Sequence, residues 1–388
     1  MVWFEQIAGA LLMLLILLDV FLTVLYARAG TGILSPRVAS LVWWFFKTIS
    51  NPFVRFRGCI LSFCGPAILV TFVVVWALGL TLAAGLIIHP KLGTSVRSIS
   101  GDTPRDFMTA VYAGGTSISI VGASNFTPQT TSFRMIFLFN SLVGLSVTSL
   151  TLTYLMQVYA GLKRRNALSL DVHLASAETG DAAELIAHLG PEGKFETGYA
   201  NLSTLAADLT KAKESHHFYP VLFYFRFLQP FYSVSRFTLV SLDAATLIKS
   251  ALSDKEYSWL KNSGAVEQLW DSARLLLETV SDTFLAGTTS SSMHAPDENT
   301  CELWRRRYFA AVRTLRQAGI QTVDDEQAGA EFYVNLRRQW NDYITHMGPM
   351  LAYTTEDIDP VGYRAETVDE RQTFGRHPSH SLPLQPHS

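Results

Sequence analysis

The stretch TPRDFMTAVYAGGTSISIVGASNFTP, from Thr103 to Pro128, decides how the rest of the chain is read. Thr103-Pro104 with Asp106 is a helix start, Phe107 to Tyr112 continues the helix, and Gly114-Gly115 is a stop. The stretch stays apolar and rich in small side chains, yet its helix is too short to cross a bilayer, which takes about 20 residues. Backbone that is not helical is tolerated at membrane depth only where protein buries it or water lines it. Between two membrane spans, these residues form a re-entrant loop, and the length of the flanks decides whether spans are there.

The flanks are long enough. Gly58 to Ile88 is 31 residues without a charge and Met135 to Leu162 is 28; each exceeds the roughly 20 residues that carry a helix across about 30 Å of hydrocarbon. Gln6 to Ala27 is a third candidate span, 22 residues with the single charge Asp19, anchored by Trp3 and Phe4. A cleaved leader is the rival there, because Ala27-Arg28-Ala29 imitates a cleavage site. Against it stand Glu5 in place of a basic start, the length of the apolar run and the acid within it. The segment lacks arginines at every third position, so it is not a voltage sensor.

Charge divides the chain. Residues 1–162 hold 13 charged side chains, 9 basic and 4 acidic, or about 8%, whereas residues 163–388 hold 51, 22 basic and 29 acidic, or about 23%. A soluble domain carries about 25%, so the first part is not one. The two parts carry +5 and −7, and the overall −2 leaves no broad basic field for nucleic acid. Arg28, Arg37, Lys47, Arg55 and Arg57 fill the first loop without an acid, and Lys163-Arg164-Arg165 follows the last span. Positive-inside bias puts both on the cytoplasmic side, with the N-terminus and His89 to Phe133 outside. In the first loop, Ser35-Pro36 starts a helix over Val38 to Ile49 that is too short to span. It lies in the inner interface or packs on the bundle as an extension. Cys59, Cys64 and Cys301 make neither a disulfide framework nor a paired metal site, which fits a reducing compartment for Cys301.

At Ser119 to Pro128 the sequence resembles the potassium-channel pore-loop superfamily, built as outer helix, pore helix, selectivity filter and inner helix. The family signature TTVGYGDxxP aligns without gaps to Ser119, Ile120, Val121, Gly122, Ala123, Ser124, Asn125, Phe126, Thr127 and Pro128, with Val121, Gly122 and Pro128 identical. The family's basic residue after the proline corresponds to Arg134, at the outer mouth with Pro128, and its inner-helix hinge glycine to Gly144. The resemblance covers roughly residues 66–162. It implies a homotetramer in which backbone carbonyls of Ile120, Val121, Gly122 and Ala123 replace the water shell of a permeant monovalent cation, K+ or Na+, with no other cofactor. The departures count. Ile120 stands where a threonine hydroxyl makes the innermost site. Ser124 replaces a glycine in a left-handed conformation, at a cost on the order of 1 kcal/mol. Ala123 replaces a bracing aromatic, and Asn125 an aspartate tied to the pore helix. Weak or atypical selectivity is the expectation.

Three features carry two readings each. Asp19 is a functional candidate, since a charge in hydrocarbon costs about 2.5 kcal/mol or more; alternatively it bonds a hydroxyl or indole of the next span, such as Thr71 or Trp76. Gly144 is a gating hinge, or a small residue for close helix packing. Ser141, Ser146, Thr148, Ser149, Thr151 and Thr153 wet a cavity or bond their own helix.

From Leu168 onward the chain reads as helices with loops, with no strand pattern. Helices are expected over Asp181 to Leu189, Thr197 to Ser215, Ser235 to Leu252, Val266 to Phe284, Thr300 to Ala318 and Asp324 to His346, with a flexible linker at Gly287 to Glu298. FYPVLFYFRFLQPFY, Phe218 to Tyr232, is a domain core, a subunit interface or a membrane-surface contact. Gly190-Pro191-Glu192-Gly193-Lys194 lacks the phosphate-loop spacing, and no catalytic signature appears. His216-His217 with Asp208 and Glu214 is weighed as a metal site and set below a solvated helix end.

The expected fold is an all-α membrane protein: three transmembrane helices with a re-entrant pore helix and filter loop, plus a C-terminal all-α cytoplasmic domain. Its parts are an extra N-terminal span (1–30), a linker with an interfacial helix (31–57), the pore domain (58–162), the helical domain (163–353) and a disordered tail (354–388). The expected function is a homotetrameric cation channel in membrane lipid, of unknown regulatory ligand. A non-conducting receptor or scaffold that keeps the fold is the alternative, and a transporter is disfavoured by the single loop and lack of an internal repeat.

Overall fold

The computed structural model describes residues 2–26, 32–99, 101–120, 125–284 and 296–362. The chain is mostly helical and divides into two compact units, residues 1–164 with 214–228, and residues 165–213 with 229–388.

Three helices are long and apolar enough to cross a membrane: Trp3–Leu25, Arg57–Lys91 and Thr131–Ala175, of 23, 35 and 45 residues, the last of them belonging to the first unit as far as Arg164. The first is α1 (Val2–Val20), prolonged by a π-helical turn, Phe21–Leu25. After α2 (Ser35–Ser50), the second consists of the short α3 (Arg57–Ser62) and α4 (Cys64–Ile88). A strand β1 (Val96–Ser98), a short helix α5 (Phe107–Ile118) and a strand β2 (Phe126–Pro128) lead into α6 (Thr131–Ala175). α6 does not stop near Leu162, where its uncharged run ends. Lys163-Arg164-Arg165 changes the solvent that suits the helix and not its backbone, and neither Gly nor Pro follows to break it. At about 1.5 Å per residue α6 is about 68 Å long, so only part of it fits within hydrocarbon.

Residues 214–228 belong to this first unit, interrupting the helical domain expected over 163–353. Val221 to Phe225 are buried. A Cβ on Gly65 would come within 2.6 Å of the Phe225 ring, Tyr159 meets Phe225 edge-on and Trp43 lies 5.9 Å from Tyr224. Arg226 donates to the Gly58 carbonyl at 3.2 Å. The apolar, proline-broken stretch is therefore core of the first unit, as its composition allowed.

The second unit contains α7 (Ala182–Leu189), α8 (Glu196–Phe218, whose last turn belongs to the first unit), α9 (Val234–Ala251), α10 (Asp254–Lys261), α11 (Gly264–Phe284), α12 (Glu298–Gln317), α13 (Glu326–Arg337), α14 (Asn341–Met350) and the single turn α15 (Thr355–Ile358). α9 is its axis. It is buried nearly all round, which its polar residues permit because Ser241, Thr246 and Ser250 bond carbonyls four residues back. Asp324 to His346 is two helices rather than one: Trp340, fully buried, leaves helical geometry at φ −135° and the chain restarts as α14. The folded chain also passes the expected boundary at 354, since α15 follows it and Ile358 is buried. Most of the expected linker and tail lies outside the described residues.

Candidate functional site

α5 starts where the sequence indicates. Asp106 caps it, accepting the Thr109 N–H at 2.9 Å and the Thr109 hydroxyl at 2.6 Å, and those bonds hold its carboxyl below the usual range. The helix does not stop at Gly114-Gly115 but runs to Ile118. The reason is packing. Ala110, Ala113, Gly114 and Ser117 form its buried face, and a Cβ on Gly114 would lie 2.5 Å from the Gly85 nitrogen of α4. On the other partner, a Cβ on Gly85 would lie 3.0 Å from the Val111 Cα. These glycines let two backbones touch, so the conformational cost of glycine within a helix is offset by contact.

At its far end α5 rests on α6. A Cβ on Gly144 would collide with the Ile118 carbonyl oxygen. Of the two roles open to Gly144, close packing answers to this contact, and α6 runs through it as unbroken helix. Ser119 then turns to extended backbone, φ −61° and ψ 135°. Ser119 and Ile120 are exposed, Ile120 by 57%. Val121, Gly122, Ala123 and Ser124 lie outside the described residues. Asn125 is exposed, and its carbonyl accepts the Ile99 N–H at 2.8 Å. β2 pairs antiparallel with β1, Val96 with Pro128 and Ser98 with Phe126, so the chain between leaves and returns at one place. Arg134, exposed, reaches to 3.5 Å of the Pro128 carbonyl. Beneath the strands, Ile88, Leu92, Val96, Ala110, Ala113, Phe126 and Phe133 make one apolar cluster.

Asp19 is the penultimate residue of α1 proper, six residues before the end of the spanning helix at Leu25, and fully buried. Its Oδ1 accepts the N–H groups of Ile33, Leu34 and Ser35 at 2.8, 2.7 and 3.3 Å; its Oδ2 accepts the Ser35 hydroxyl at 2.8 Å and the Trp76 indole at 2.9 Å. Thr71 bonds its own helix instead. The carboxylate thus caps α2, supplying anionic charge to the positive end of that helix. It does this work from another element, which no local capping signal in α2 foretells.

Thr148 and Thr153 donate to carbonyls of their own helix, at 2.8 and 3.0 Å. One residue of this region escapes a reading based on motifs. Asn140, 1% exposed on α6, donates to the Ser117 hydroxyl at 2.9 Å, and that hydroxyl donates to the Gly114 carbonyl. A buried amide in an apolar span was the available signal. Among the described residues no group of three or more His, Cys, Asp and Glu side chains is arranged to hold a metal; His216 is buried and His217 partly exposed. Comparison with protein-family models, with curated proteins and with solved structures finds no match for this chain.

Proposed function

We propose that this chain is one subunit of a homotetrameric cation channel, a multi-pass protein of the cell membrane with its N-terminus outside and its helical second unit in the cytoplasm, where that unit assembles or gates the pore. α4 is the outer helix, α5 the re-entrant pore helix, Ser119 to Asn125 the filter, Pro128 and Arg134 the outer mouth, and α6 the inner helix. Four copies surround the path of a K+ or Na+ ion with the carbonyls of Ile120 to Ala123.

One observation carries this. A helix too short to cross is seated on two helices of spanning length, and the loop after it returns to pair with the strand before it. A chain that comes back to its starting edge enters and leaves a membrane by the same side. Assembly of several copies is supported by α6, which buries a single stripe, Val143, Val147, Thr151, Tyr154 and Val158, and leaves Leu138, Leu142, Leu145, Leu152 and Met156 exposed. Ile120, Ala123 and Ser124 speak for weak selectivity, and they are also the support for a second reading, a non-conducting receptor that keeps the fold.

The test is flux from liposomes carrying the purified protein, comparing K+, Na+ and a large organic cation, with Gly122→Asp alongside and subunit number fixed by cross-linking. Flux abolished by Gly122→Asp, from a tetramer, is the expected result. Flux unchanged by that substitution overturns the assignment of the path. Tetramers that pass no ion under any condition favour the receptor.

A further inference from the structure

A ring of two arginines and two aspartates closes inside the second unit. Asp243, fully buried on α9, has Arg307 of α12 on its Oδ2, with Nε at 2.9 Å and Nη2 at 2.7 Å. Its Oδ1 takes Nη1 of Arg337 from α13 at 3.1 Å and the Tyr333 hydroxyl at 2.6 Å. The remaining sides of the guanidiniums turn to a second carboxylate: Arg307 Nη1 donates to Oδ1 of Asp359 at 2.5 Å, and Arg337 Nη2 to its Oδ2 at 3.2 Å. Arg337 is fixed further by the Trp340 and Trp304 rings, 5.0 and 5.4 Å from its central carbon, and by the Asn341 side-chain oxygen at 3.2 Å.

The two aspartates are held differently. Asp243 belongs to the core helix. Asp359 arrives on a strap, residues 354–362, that begins just after Ala352, a non-glycine residue in left-handed backbone at φ 57°. The strap has one helical turn closed by the Thr354–Asp357 capping box, rests Ile358 on Gly348, and receives Arg236 on the Asp357 carbonyl at 3.2 Å. Beside the ring opens a cavity of about 570 Å³, walled by Arg307, Arg337 and Asp359 together with Trp304, Asn341 and Thr355.

Charge limits what can occupy that wall. With Asp243 alone, the two buried guanidiniums share one hydrogen-bonded carboxylate, since Asp181, whose charge also acts on Arg307, is engaged in capping α7; guanidinium donors left without an acceptor are an arrangement proteins avoid. An occupant that replaces Asp359 must bring one negative charge and two oxygens spaced to bridge two guanidiniums, and a carboxylate does both. We propose that Arg307 and Arg337 form a carboxylate-binding site whose resident ligand is the chain's own Asp359, and that a small organic acid entering the cavity exchanges for it and releases the strap. Other polar residues of the cavity wall, among them Asn341, Thr300, Thr345, Thr354 and Thr355, suit an acid with a polar, uncharged body. This site is independent of the channel reading.

Asp359→Ala in the full chain, purified in detergent, tests it by thermal unfolding in chloride against acetate, lactate and inorganic phosphate at equal ionic strength. The expected result is a lowered midpoint in chloride that acetate and lactate restore saturably. Their apparent affinity for the variant should be about tenfold or more tighter than for the wild type, whose tethered carboxylate competes. In the wild type the same acids should speed chymotryptic cleavage after Tyr353, which is buried. Should Asp359→Ala not fold, Asp359→Asn, which keeps the shape and removes the charge, takes its place with the same readouts. A variant as stable as wild type in chloride, a midpoint that carboxylates raise no more than phosphate or chloride does, or wild-type cleavage indifferent to acetate each overturns the proposal.

Discussion

Asp19→Asn tests how the first unit is tied together. The carboxylate serves five donors: three backbone N–H groups and the Ser35 hydroxyl at the start of α2, and the Trp76 indole of α4. Asparagine keeps one oxygen, best placed on the three N–H groups, and its NH2 then faces the indole N–H, donor against donor. Bonds to a charged acceptor are worth about 1.5–3 kcal/mol and neutral ones about 0.5–1.5, while an orphaned buried donor costs about 1–3. Loss of charge on the two short N–H bonds and of the indole bond sums to about 3–5 kcal/mol, and relief of a buried charge returns part of it. The expected net loss is about 3 kcal/mol, roughly a hundredfold in an opening equilibrium. Hydrogen exchange at the Ile33 and Leu34 amides should accelerate by that factor, alongside a lowered unfolding midpoint in detergent. Trp76→Phe removes one donor and should cost about 2 kcal/mol. In the double variant the donor conflict disappears, so its cost should fall about 1–2 kcal/mol below the sum. Asp19→Asn within about 0.5 kcal/mol of wild type, or strict additivity, would refute the assignment of Asp19 as the anion that holds α2.

Gly144→Val should destabilise the chain by about 2 kcal/mol or more, because the new side chain meets the Ile118 carbonyl with backbone on both sides; a midpoint unchanged within error in thermal melts refutes the contact. Asp359 gives a pH signature. Burial raises its pKa, but the Arg307 and Arg337 guanidiniums outweigh burial and bring it from 3.8 to about 2. A carboxyl depressed in the folded state stabilises above its unfolded pKa, so about 2 kcal/mol should be lost as pH falls from about 4 to about 2. Asp181, raised mainly by burial, acts in the opposite sense, and denaturant melts of Asp359→Asn should lack the loss assigned to Asp359. Ile120→Thr, which restores a hydroxyl to the inner end of the filter, should raise the K+ over Na+ flux ratio; a ratio unmoved in tetramers that conduct counts against Ile120 facing the path.

The parts of this fold that reside in runs of residues were legible. Three apolar stretches give three helices of spanning length, and Asp106 announces α5, because both follow from local composition and capping. Trp76 was one of two partners open to Asp19, reachable because an acid in an apolar helix must find a donor. What escaped has one physical cause: contacts between distant segments override local signals. Gly114-Gly115 reads as a stop until Gly85 lies against it. Ser235 to Leu252 reads as a helix with polar residues for solvent until its hydroxyls bond backward and Asp243 meets Arg307 and Arg337. Thr354 to Gly362 reads as tail, being poor in apolar residues, yet one aspartate and one isoleucine secure it. Asn140 carries no motif, and only its depth beside Ser117 marks it.

The extra N-terminal helix gains a role from how it is joined to α4. The seam is polar at both ends and close-packed between. At one end Glu5 pairs with His89 Nδ1 at 2.7 Å, and His89 meets Phe107, the first residue of α5, edge-on at 5.7 Å. In the middle, a Cβ on Gly9 would lie 2.7 Å from the Ala83 carbonyl, and one on Gly79 would lie 2.7 Å from Ile16. At the other end Asp19 binds Trp76 and the start of α2. A seam pinned twice and interlocked between does not slide, because each glycine admits a neighbour that any larger side chain would push out. A displacement of α2 therefore acts on α1 and α4 together through one carboxylate. α4 in turn touches α5 backbone to backbone at Gly85 and Gly114. The chain of rigid contacts runs from α2 through Asp19 and α4 to the helix that precedes Ser119, and loosening it at Asp19 should be felt at α5 without any change in the residues of the loop itself.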